Sequence, residues 1–404
     1  MRPVAISNPP NPWATTEVEY LEGAPEVRLE VFEDHTRNIL ARNDSPDVGF
    51  TYSVNPYRGC FHACAYCYAR PSHEYLSLGA GTDFDRKIVV KLRAAELLRA
   101  AFAKKSWRKE TVAFSGVTDC YQPLEASYRL TRACLQVCVE HANPAAIITK
   151  SALIERDVDV LVDLARVASA FVTVSIPFWD PERARAIEPY VATPARRLRV
   201  IETLARAGLD VGVNVAPIIP GLNDQDIPKI LAAARDAGAT RAGCVLVRLP
   251  GSVKQVFEQR LRHALPLVAD RVLHRIRETR GGRLYDPRYS VRGRGEGTYA
   301  EAIKSLFDTT AARLGYERGG MGMDSDESSV SGTLGGFPNP PAMVRGEQSS
   351  PAPHASYDVE DVQDDGEAPV AERKAPRGPQ AQLTLGIELG GCHDSGAPAA
   401  KVRS

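Results

Sequence analysis

Six short apolar runs alternate with helical patterns of apolar and polar positions between residues 49 and 247. Runs rich in β-branched and aromatic residues are typical of strands. Because parallel strands need long crossover connections, strands that alternate with helices predict a parallel sheet covered by helices. The six runs are GFTYSV (49–54), TVAFSG (111–116), AAIITK (145–150), AFVTVSI (170–176), LDVGVNVAPI (209–218) and AGCVLV (242–247).

The helices on either side of the fifth run have clear start and stop signals. Thr193 is suited to cap a helix whose first residue is Pro194, and Gly208 stands where a left-handed residue ends it. For the following helix, Asn223 or Asp224 is the expected cap. Its apolar face is formed by Ile227, Ile230, Leu231 and Ala234.

The expected fold class is α/β, a partial (β/α)6 TIM-like barrel. A doubly wound sheet is disfavoured because no glycine-rich phosphate loop follows the first run. In barrels, functional residues gather on the loops that follow the carboxyl ends of the strands. The three-cysteine stretch CFHACAYC (60–67) follows the first run and is therefore expected on such a loop.

Charge and composition divide the chain of 404 residues into three parts. Residues 321–404 carry 13 Asp and Glu against 6 Lys and Arg, whereas residues 1–320 carry 37 against 44, so the tail is −7 and the rest +7. The tail is rich in Gly, Pro and Ser and poor in aromatic residues, which predicts disorder. We expect an N-terminal extension over 1–44, a core barrel over 45–320 and a disordered acidic tail over 321–404.

No segment approaches the length of a membrane span, and the N-terminus lacks the apolar region of a signal peptide. A cytoplasmic protein without membrane contact is therefore expected. In a reducing compartment, clustered cysteines indicate metal or redox chemistry rather than disulfides.

The clustered cysteines are spaced Cys60-x3-Cys64-x2-Cys67. A structural zinc site would need a fourth ligand, for which His62 or His73 is available. A [4Fe–4S] cluster bound by three thiolates would instead leave one iron open to a small chelating molecule. The spacing alone leaves both sites open.

With Tyr66 directly before the third cysteine, the stretch resembles the signature of the radical S-adenosylmethionine (SAM) superfamily. The resemblance implies a [4Fe–4S] cluster whose open iron binds SAM. It also implies reductive cleavage of SAM to a 5′-deoxyadenosyl radical, with electrons from a donor of the flavodoxin or ferredoxin type.

Further stretches are similar to the spore photoproduct lyase-like branch, often described as DNA repair photolyase-related. They are NPYRGCFHACAYCYAR (55–70), SGVTDCYQPLE (115–125), TKSALIERD (149–157), VSIPF (174–178) and VAPIIPGLND (215–224). Enzymes that repair spore photoproduct have a hydrogen-donating cysteine three residues before the aspartate that aligns with Asp119. Gly116 stands there in this chain, so the resemblance does not imply that reaction.

The resemblance implies SAM contacts at the ends of successive strands. Physical chemistry supports them, because a carboxylate accepts hydrogen bonds from the SAM ammonium or ribose, a lysine neutralises its carboxylate, and apolar residues suit adenine. Ser175 and Pro217 have structural alternatives at a strand end. The implied contacts are Tyr66, Thr118, Asp119, Lys150, Ser175, Asn214, Ala216, Pro217 and Ile218.

Cys120 and Tyr121 follow Asp119 and are candidate catalytic residues. A thiol or phenol beside the SAM pocket is suited to hydrogen transfer or substrate contact. The alternative for Cys120 is a small buried apolar residue, which is the more common role of a free cysteine.

Two segments indicate partners. Residues 271–294 contain eight arginines interleaved with Tyr285 and Tyr289, which suits nucleic acid but also a solvated helix face. In the tail, QLTLGIEL (382–389) loosely resembles the peptide that docks bacterial repair proteins on the replication clamp, with Gln382, Leu383 and Leu385 matching and the usual terminal phenylalanine absent. The alternative is a short apolar patch that folds back on the body of the protein.

The function expected from these observations is radical SAM chemistry on an unknown substrate, nucleic acid being the first hypothesis. One alternative is a radical SAM enzyme that modifies a protein or a small metabolite. The other is a zinc-stabilised binding module without catalysis.

Overall fold

A computed structural model describes residues 28–45, 49–317 and 382–383 of the chain. It contains two β-sheets and a layer of helices. The strands are β1 (Glu30–Glu33), β2 (Leu40–Arg42), β3 (Tyr52–Val54), β4 (Tyr57–Arg58), β5 (Lys87–Val90), β6 (Val112–Phe114), β7 (Ala145–Thr149), β8 (Ala170–Ser175), β9 (Asp210–Ile218), β10 (Arg241–Leu246) and β11 (Gln382–Leu383).

The larger sheet has seven strands in the order β10-β9-β8-β7-β6-β3-β2. Strands β3, β6, β7, β8, β9 and β10 are parallel, and β2 joins β3 in the antiparallel direction. These six parallel strands are the six apolar runs of the sequence, in chain order. The expected α/β fold, a partial TIM-like barrel, is therefore confirmed.

Helices connect the parallel strands and pack on the sheet, with α4 against α5 and α12 against α8. Short 3₁₀ helices lie at Arg70–Leu76, Ala152–Asp157 and Asp224–Asp226. The α-helices are α1 (Thr82–Arg86), α2 (Ala94–Phe102), α3 (Glu125–Tyr128), α4 (Leu130–Glu140), α5 (Val158–Val167), α6 (Pro181–Ile187), α7 (Pro194–Arg206), α8 (Ile227–Asp236), α9 (Val253–Ala264), α10 (Pro266–Glu278), α11 (Tyr289–Arg292) and α12 (Thr298–Arg313).

Strand alternation gives the sheet an apolar face and a more polar one. On β8, Val172 and Val174 are fully buried in the main hydrophobic core. Thr173 and Ser175 point to the opposite face, towards the inside of the barrel. Ser175 pairs in register with Asn214 of β9, so polar side chains of neighbouring strands meet on the inner face.

The helix signals around β9 are confirmed in part. Thr193 caps α7 by accepting a hydrogen bond from the Arg196 N–H, and Gly208 follows the helix with a φ of +81°. The expected cap of α8 by Asn223 or Asp224 is wrong, because α8 has no side-chain cap. The Asn223 amide instead donates to two backbone carbonyls of the neighbouring strand ends, a tertiary use that outcompetes capping.

The smaller sheet has the order β11-β1-β5-β4, in which β1 and β5 are parallel and the other pairs antiparallel. Strands β1 and β2 lie in the part that the sequence assigned to an N-terminal extension, of which residues 1–27 are outside the described residues. The tail predicted to be disordered is likewise outside them, except for Gln382 and Leu383, which form β11. Leu385, the third residue of the clamp-like peptide, is also outside.

A second apolar cluster covers the carboxyl end of the barrel. It brings Phe178, Ile187 and Phe257 against Tyr66 of the cysteine loop, so that α6, α9 and α10 shield this end from water. Among the described helices, none is both long enough and apolar enough to cross a membrane.

Candidate active site

The cysteine loop, residues 59–69, follows β3 and β4 at the carboxyl end of the barrel. Cys60 and Cys64 are buried, Cys67 is half-buried, and all three are free thiols. The sequence-based prediction that these cysteines lie on a loop after the first barrel strand is therefore confirmed.

Gly59 sets the start of the cysteine loop. Its φ is +77°, and a Cβ atom there would lie 2.8 Å from the His73 ring and 2.9 Å from the Phe84 carbonyl oxygen. Both the backbone conformation and the space therefore require glycine directly before Cys60. His73, an alternative zinc ligand in the sequence analysis, has its Nε2 2.8 Å from the Lys87 carbonyl oxygen.

Two arginines hold the loop through its backbone carbonyls. Arg70 is fully buried and donates to the Cys64 carbonyl at 2.8 Å and to Asp85 Oδ1 at 2.8 Å. Arg260 of α9 donates to the other oxygen of Asp85 and to the Ala63 carbonyl. Guanidinium groups offer several donors in a fixed plane, so these two bind the loop backbone and a shared carboxylate at once.

Gln122 holds the start of the cysteine loop, and its side chain is fully buried. Its Oε1 accepts from the Phe61 N–H at 3.0 Å, and its Nε2 donates to the Gly59 carbonyl at 3.1 Å. The side chain thus satisfies two backbone groups that flank Cys60 and that would otherwise be buried without partners.

Tyr66 begins a buried polar chain that reaches β8. Its hydroxyl donates to Glu188, whose other carboxylate oxygen accepts from Arg197. Arg197 also donates to the Ser175 carbonyl at 3.0 Å. The side chains of Glu188 and Arg197 are 0% and 1% exposed, so the ion pair is fully desolvated and ties the cysteine loop to the end of β8.

Asp119 connects the end of β6 to the end of β7. Its Oδ1 accepts from the Thr149 hydroxyl at 2.7 Å and from the Tyr121 N–H at 2.9 Å. Its Oδ2 accepts from the Lys150 N–H at 2.8 Å and lies 3.5 Å from His62 Nδ1. The carboxylate organises the strand ends, and its predicted contact with SAM stays a prediction.

Lys150 lies directly after β7, with its ammonium 5.8 Å from the centroid of the Tyr66 ring. No carboxylate lies within ion-pair distance of it in the described part of the chain. A lysine held over an aromatic ring and free of a protein counter-ion is placed to attract an anion. Its predicted interaction with a SAM carboxylate stays a prediction.

Burial dominates the electrostatics of the thiols. It raises the pKa of Cys64 to about 12, with the Glu188 carboxylate adding to the rise and Lys150 opposing it. Burial also raises the pKa of Cys60 well above its ordinary value, helped by the Asp119 carboxylate and by the thiols of Cys67 and Cys64. Binding to metal would therefore require the metal's own charge to stabilise the thiolates.

The end of β9 carries the other predicted SAM contacts. Asn214 is 9% exposed, and its Oδ1 is buried without a hydrogen-bond partner among the described residues. Ala216 and Pro217 are half-buried and Ile218 is buried. An unpartnered amide oxygen next to an apolar strand end suits a ligand with both polar and apolar parts.

Three predicted site residues that follow β6 are almost completely buried, namely Thr118, Cys120 and Tyr121. Thr118 is 5% exposed, Cys120 1% and Tyr121 0%, and the last two belong to the main hydrophobic core. Burial and the nearby Asp157 carboxylate raise the pKa of Tyr121 well above its ordinary value. For Cys120, this burial matches the alternative that it is a small apolar residue of the core. The catalytic roles of Cys120 and Tyr121 stay predictions.

The donor set of the loop fits an iron–sulfur cluster. In the described ranges, no group of three or more His, Cys, Asp or Glu side chains is placed to hold a single metal ion. A lone zinc ion would require its sulfur ligands to converge at ~2.3 Å from one point. The thiolates of a [4Fe–4S] cluster bind different irons, so the three thiols of the loop need not converge in that way.

Sequence reasoning missed the supports of this site, namely Arg70, Asp85, Glu188, Arg197 and Arg260. Each is a charged residue, for which solvent exposure is the usual expectation. A possible signal was the position of Arg70 at the end of the motif NPYRGCFHACAYCYAR.

Comparisons with known proteins agree with this geometry. The family model described as the radical SAM superfamily matches residues 54–234. An uncharacterized protein of Mycobacterium tuberculosis is 40% identical over 224 residues, which span 55% of this chain and 66% of that protein. An uncharacterized protein of Methanocaldococcus jannaschii is 31% identical over 182 residues, which span 45% and 66%.

Among solved structures, spore photoproduct lyase complexed with dinucleoside spore photoproduct superposes with a TM-score of 0.50 at 16% sequence identity, covering 71% of this chain and 80% of that one. The likeness shows a shared fold. Together with the family match, it confirms the resemblance drawn from CFHACAYC and the neighbouring stretches. The chain is therefore similar to the radical SAM superfamily over residues 54–234, which are less than half of its length.

Proposed function

We propose that this protein is a radical SAM enzyme that cleaves SAM reductively and uses the resulting 5′-deoxyadenosyl radical on a substrate. The observation that carries the proposal is the cysteine loop at the carboxyl end of the barrel. Three free thiols lie there, two of them buried, near Lys150, which has no ion-pair partner in the described residues. On β9, the Oδ1 of Asn214 has no hydrogen-bond partner among those residues.

Cys60, Cys64 and Cys67 would hold a [4Fe–4S] cluster and leave one iron for SAM. When bound, such a cluster would supply the one-electron reduction that splits SAM into methionine and a 5′-deoxyadenosyl radical able to take a hydrogen atom from the substrate. The chemistry belongs to the cofactors, and the protein contributes position and exclusion of water.

This chain's residues would orient SAM by charge and shape. The Lys150 ammonium would neutralise the carboxylate of SAM, and Asn214 Oδ1 would accept a hydrogen bond that it lacks within the protein. Ala216, Pro217 and Ile218 would form the apolar wall beside adenine. The second apolar cluster would keep bulk water away from the loop.

Nucleic acid is the substrate class that we propose first, with a protein or small metabolite as the alternative. The fold neighbour spore photoproduct lyase has been solved with a dinucleoside lesion. The arginine-rich segment 271–294 gives mixed support. Arg280 is buried and donates to backbone carbonyls, and Arg288 is paired with Asp286, so both have structural roles.

The remaining partners are also proposals. Reduction of the cluster would require an electron donor of the flavodoxin or ferredoxin type. The free thiols of the described residues suit the reducing conditions of the cytoplasm.

The test is anaerobic purification and reconstitution of the full chain, followed by analysis of iron and sulfide. SAM and dithionite are then added, and 5′-deoxyadenosine is measured by liquid chromatography. Cys64→Ala is compared with wild type, and Cys244→Ala on β10 serves as the control for loss of a thiol outside the loop.

About four irons and release of deoxyadenosine, both lost in Cys64→Ala and kept in Cys244→Ala, would support the proposal. Bound zinc without deoxyadenosine would overturn it and favour the zinc-stabilised module. Deoxyadenosine release without binding of DNA or RNA at any salt concentration would favour a protein or metabolite substrate.

A further inference from the structure

Arg248 lies at the carboxyl end of the barrel, two residues beyond β10. The preceding residue, Val247, donates its N–H to the Ile218 carbonyl at 2.8 Å and accepts from Arg280 at 3.1 Å. These bonds fix the segment against the end of β9. Arg248 is therefore held next to the strand that carries the proposed wall for adenine.

On its other side, Arg248 contacts the cysteine loop. Its guanidinium carbon lies 5.6 Å from the centroid of the Tyr68 ring. Tyr68 follows Cys67 directly, and its hydroxyl donates to the Gly116 carbonyl at 2.8 Å. The hydroxyl is anchored while the side chain is 49% exposed, so an aromatic surface is presented at the rim of the site.

Arg248 differs from the other arginines around the loop in its partners. Arg70, Arg197 and Arg260 each pair with a carboxylate. Within the described residues, no ion pair includes Arg248, and its Nε is buried without a hydrogen-bond partner. A buried donor without a partner is unfavourable until a ligand satisfies it.

A second cation lies nearby. Burial lowers the pKa of Arg280 to about 10, and Arg248 contributes to that lowering while the Asp286 carboxylate opposes it. Arg280 uses its own terminal nitrogens on backbone carbonyls. Arg280 therefore adds positive charge near Arg248, while Arg248 is the arginine beside Tyr68 that is left to bind an anion from outside the chain.

We propose that Arg248 and Tyr68 form a substrate subsite for single-stranded nucleic acid, in which the guanidinium binds a backbone phosphate and the tyrosine ring stacks on a base. Planar guanidinium donors match phosphate oxygens, and exposed aromatic rings bind bases of any sequence. The inference rests on the proposed function, because it places the substrate between the cysteine loop and the SAM wall.

The test measures binding of a fluorescein-labelled single-stranded DNA of about 12 nucleotides to the reconstituted full chain, at salt concentrations from about 50 to 300 mM. Arg248→Gln and Arg248→Lys are compared with wild type. Arg99→Gln is the matched control, because Arg99 is an exposed arginine of α2 paired with Glu140, and its loss changes the net charge equally.

We expect Arg248→Gln to weaken binding about five- to tenfold at about 50 mM salt and to lower the slope of log affinity against log salt by about 0.7, the value for one phosphate of a single strand. Arg248→Lys should keep most of that slope, and Arg99→Gln should bind like wild type. Tyr68→Leu should weaken binding at least about fivefold at all salt concentrations, because stacking does not depend on salt.

Equal affinities and slopes for wild type and Arg248→Gln would overturn the subsite, as would failure of wild type to bind the DNA. A loss of SAM affinity in Arg248→Gln, measured by equilibrium dialysis, would assign Arg248 to SAM and also overturn it. If wild type released no deoxyadenosine but bound DNA through Arg248, the proposed enzyme would fail while the subsite stood.

Discussion

Substitution of Glu188 by glutamine tests how strongly the buried polar chain supports the cysteine loop. Glutamine has the same shape and keeps an acceptor for the Tyr66 hydroxyl, but it removes the charge that faces Arg197. Both side chains of this ion pair are almost completely buried, at 0% and 1% exposure. Removal of one partner from such a pair typically costs about 3–5 kcal/mol, because the other charge is left uncompensated.

Thermal unfolding of the reconstituted protein, followed by tryptophan fluorescence, measures this cost. At about 2–4 °C per kcal/mol, the melting temperature of Glu188→Gln should fall by about 10 °C. Glu202→Gln is the matched control. The pair of Glu202 with Arg206 on α7 is 42% and 79% exposed, and an exposed pair contributes at most about 1 kcal/mol.

Loss of iron should accompany the loss of stability, since Tyr66 belongs to the loop that presents the thiols. Equal melting temperatures for the two variants, together with full iron content, would show that Arg197 does not depend on Glu188. The Ser175 and Ala192 carbonyls, to which Arg197 also donates, would then be sufficient to hold it.

Three further predictions concern the same end of the barrel. Burial lowers the pKa of His73 to about 4. Because the unfolded chain binds this proton near pH 6.5, the free energy of unfolding should fall by roughly 3 kcal/mol as pH drops from about 6.5 to about 4. Urea unfolding of His73→Gln should show a correspondingly weaker pH dependence. Gln122→Ala should lower iron content and cost about 2–3 kcal/mol in urea unfolding, because two buried backbone groups lose their partners, whereas Gln136→Ala on the exposed face of α4 should change neither. Lys150→Met should weaken SAM binding in equilibrium dialysis at least about tenfold, whereas Lys229→Met on α8 should not. Equal affinities of the two variants would show that Lys150 does not bind SAM.

The strands and the place of the cysteine loop could be predicted because both depend on local patterns. Each apolar run is a strand by its own composition, and the spacing of Cys60, Cys64 and Cys67 lies within eight residues. The parallel order of the sheet followed from alternation with helices. Thr193 and Pro194 similarly mark a helix start without help from distant residues.

The supports of the site could not be predicted because their partners are far away in sequence. Asp85 and Arg260 are separated by 175 residues and meet only in the folded protein. Asn223 shows the same limit from the other direction, since its sequence context suggests a helix cap while its amide binds backbone carbonyls of other segments. Cys120, a candidate by proximity to Asp119, lies in the core because the turn after β6 directs it there.

The position of Arg260 has a consequence for how the protein is made. Its hydrogen bond to the Ala63 carbonyl joins residues 197 positions apart. It also binds the oxygen of Asp85 that Arg70 does not bind, so the two arginines share this carboxylate. During synthesis, the three cysteines emerge long before α9 exists. The nascent chain therefore carries three exposed thiols on a loop that Arg260 does not yet hold. Stable insertion of the proposed cluster would have to wait until the barrel is almost complete. Oxidation of these thiols in that interval would be a failure of assembly rather than of catalysis.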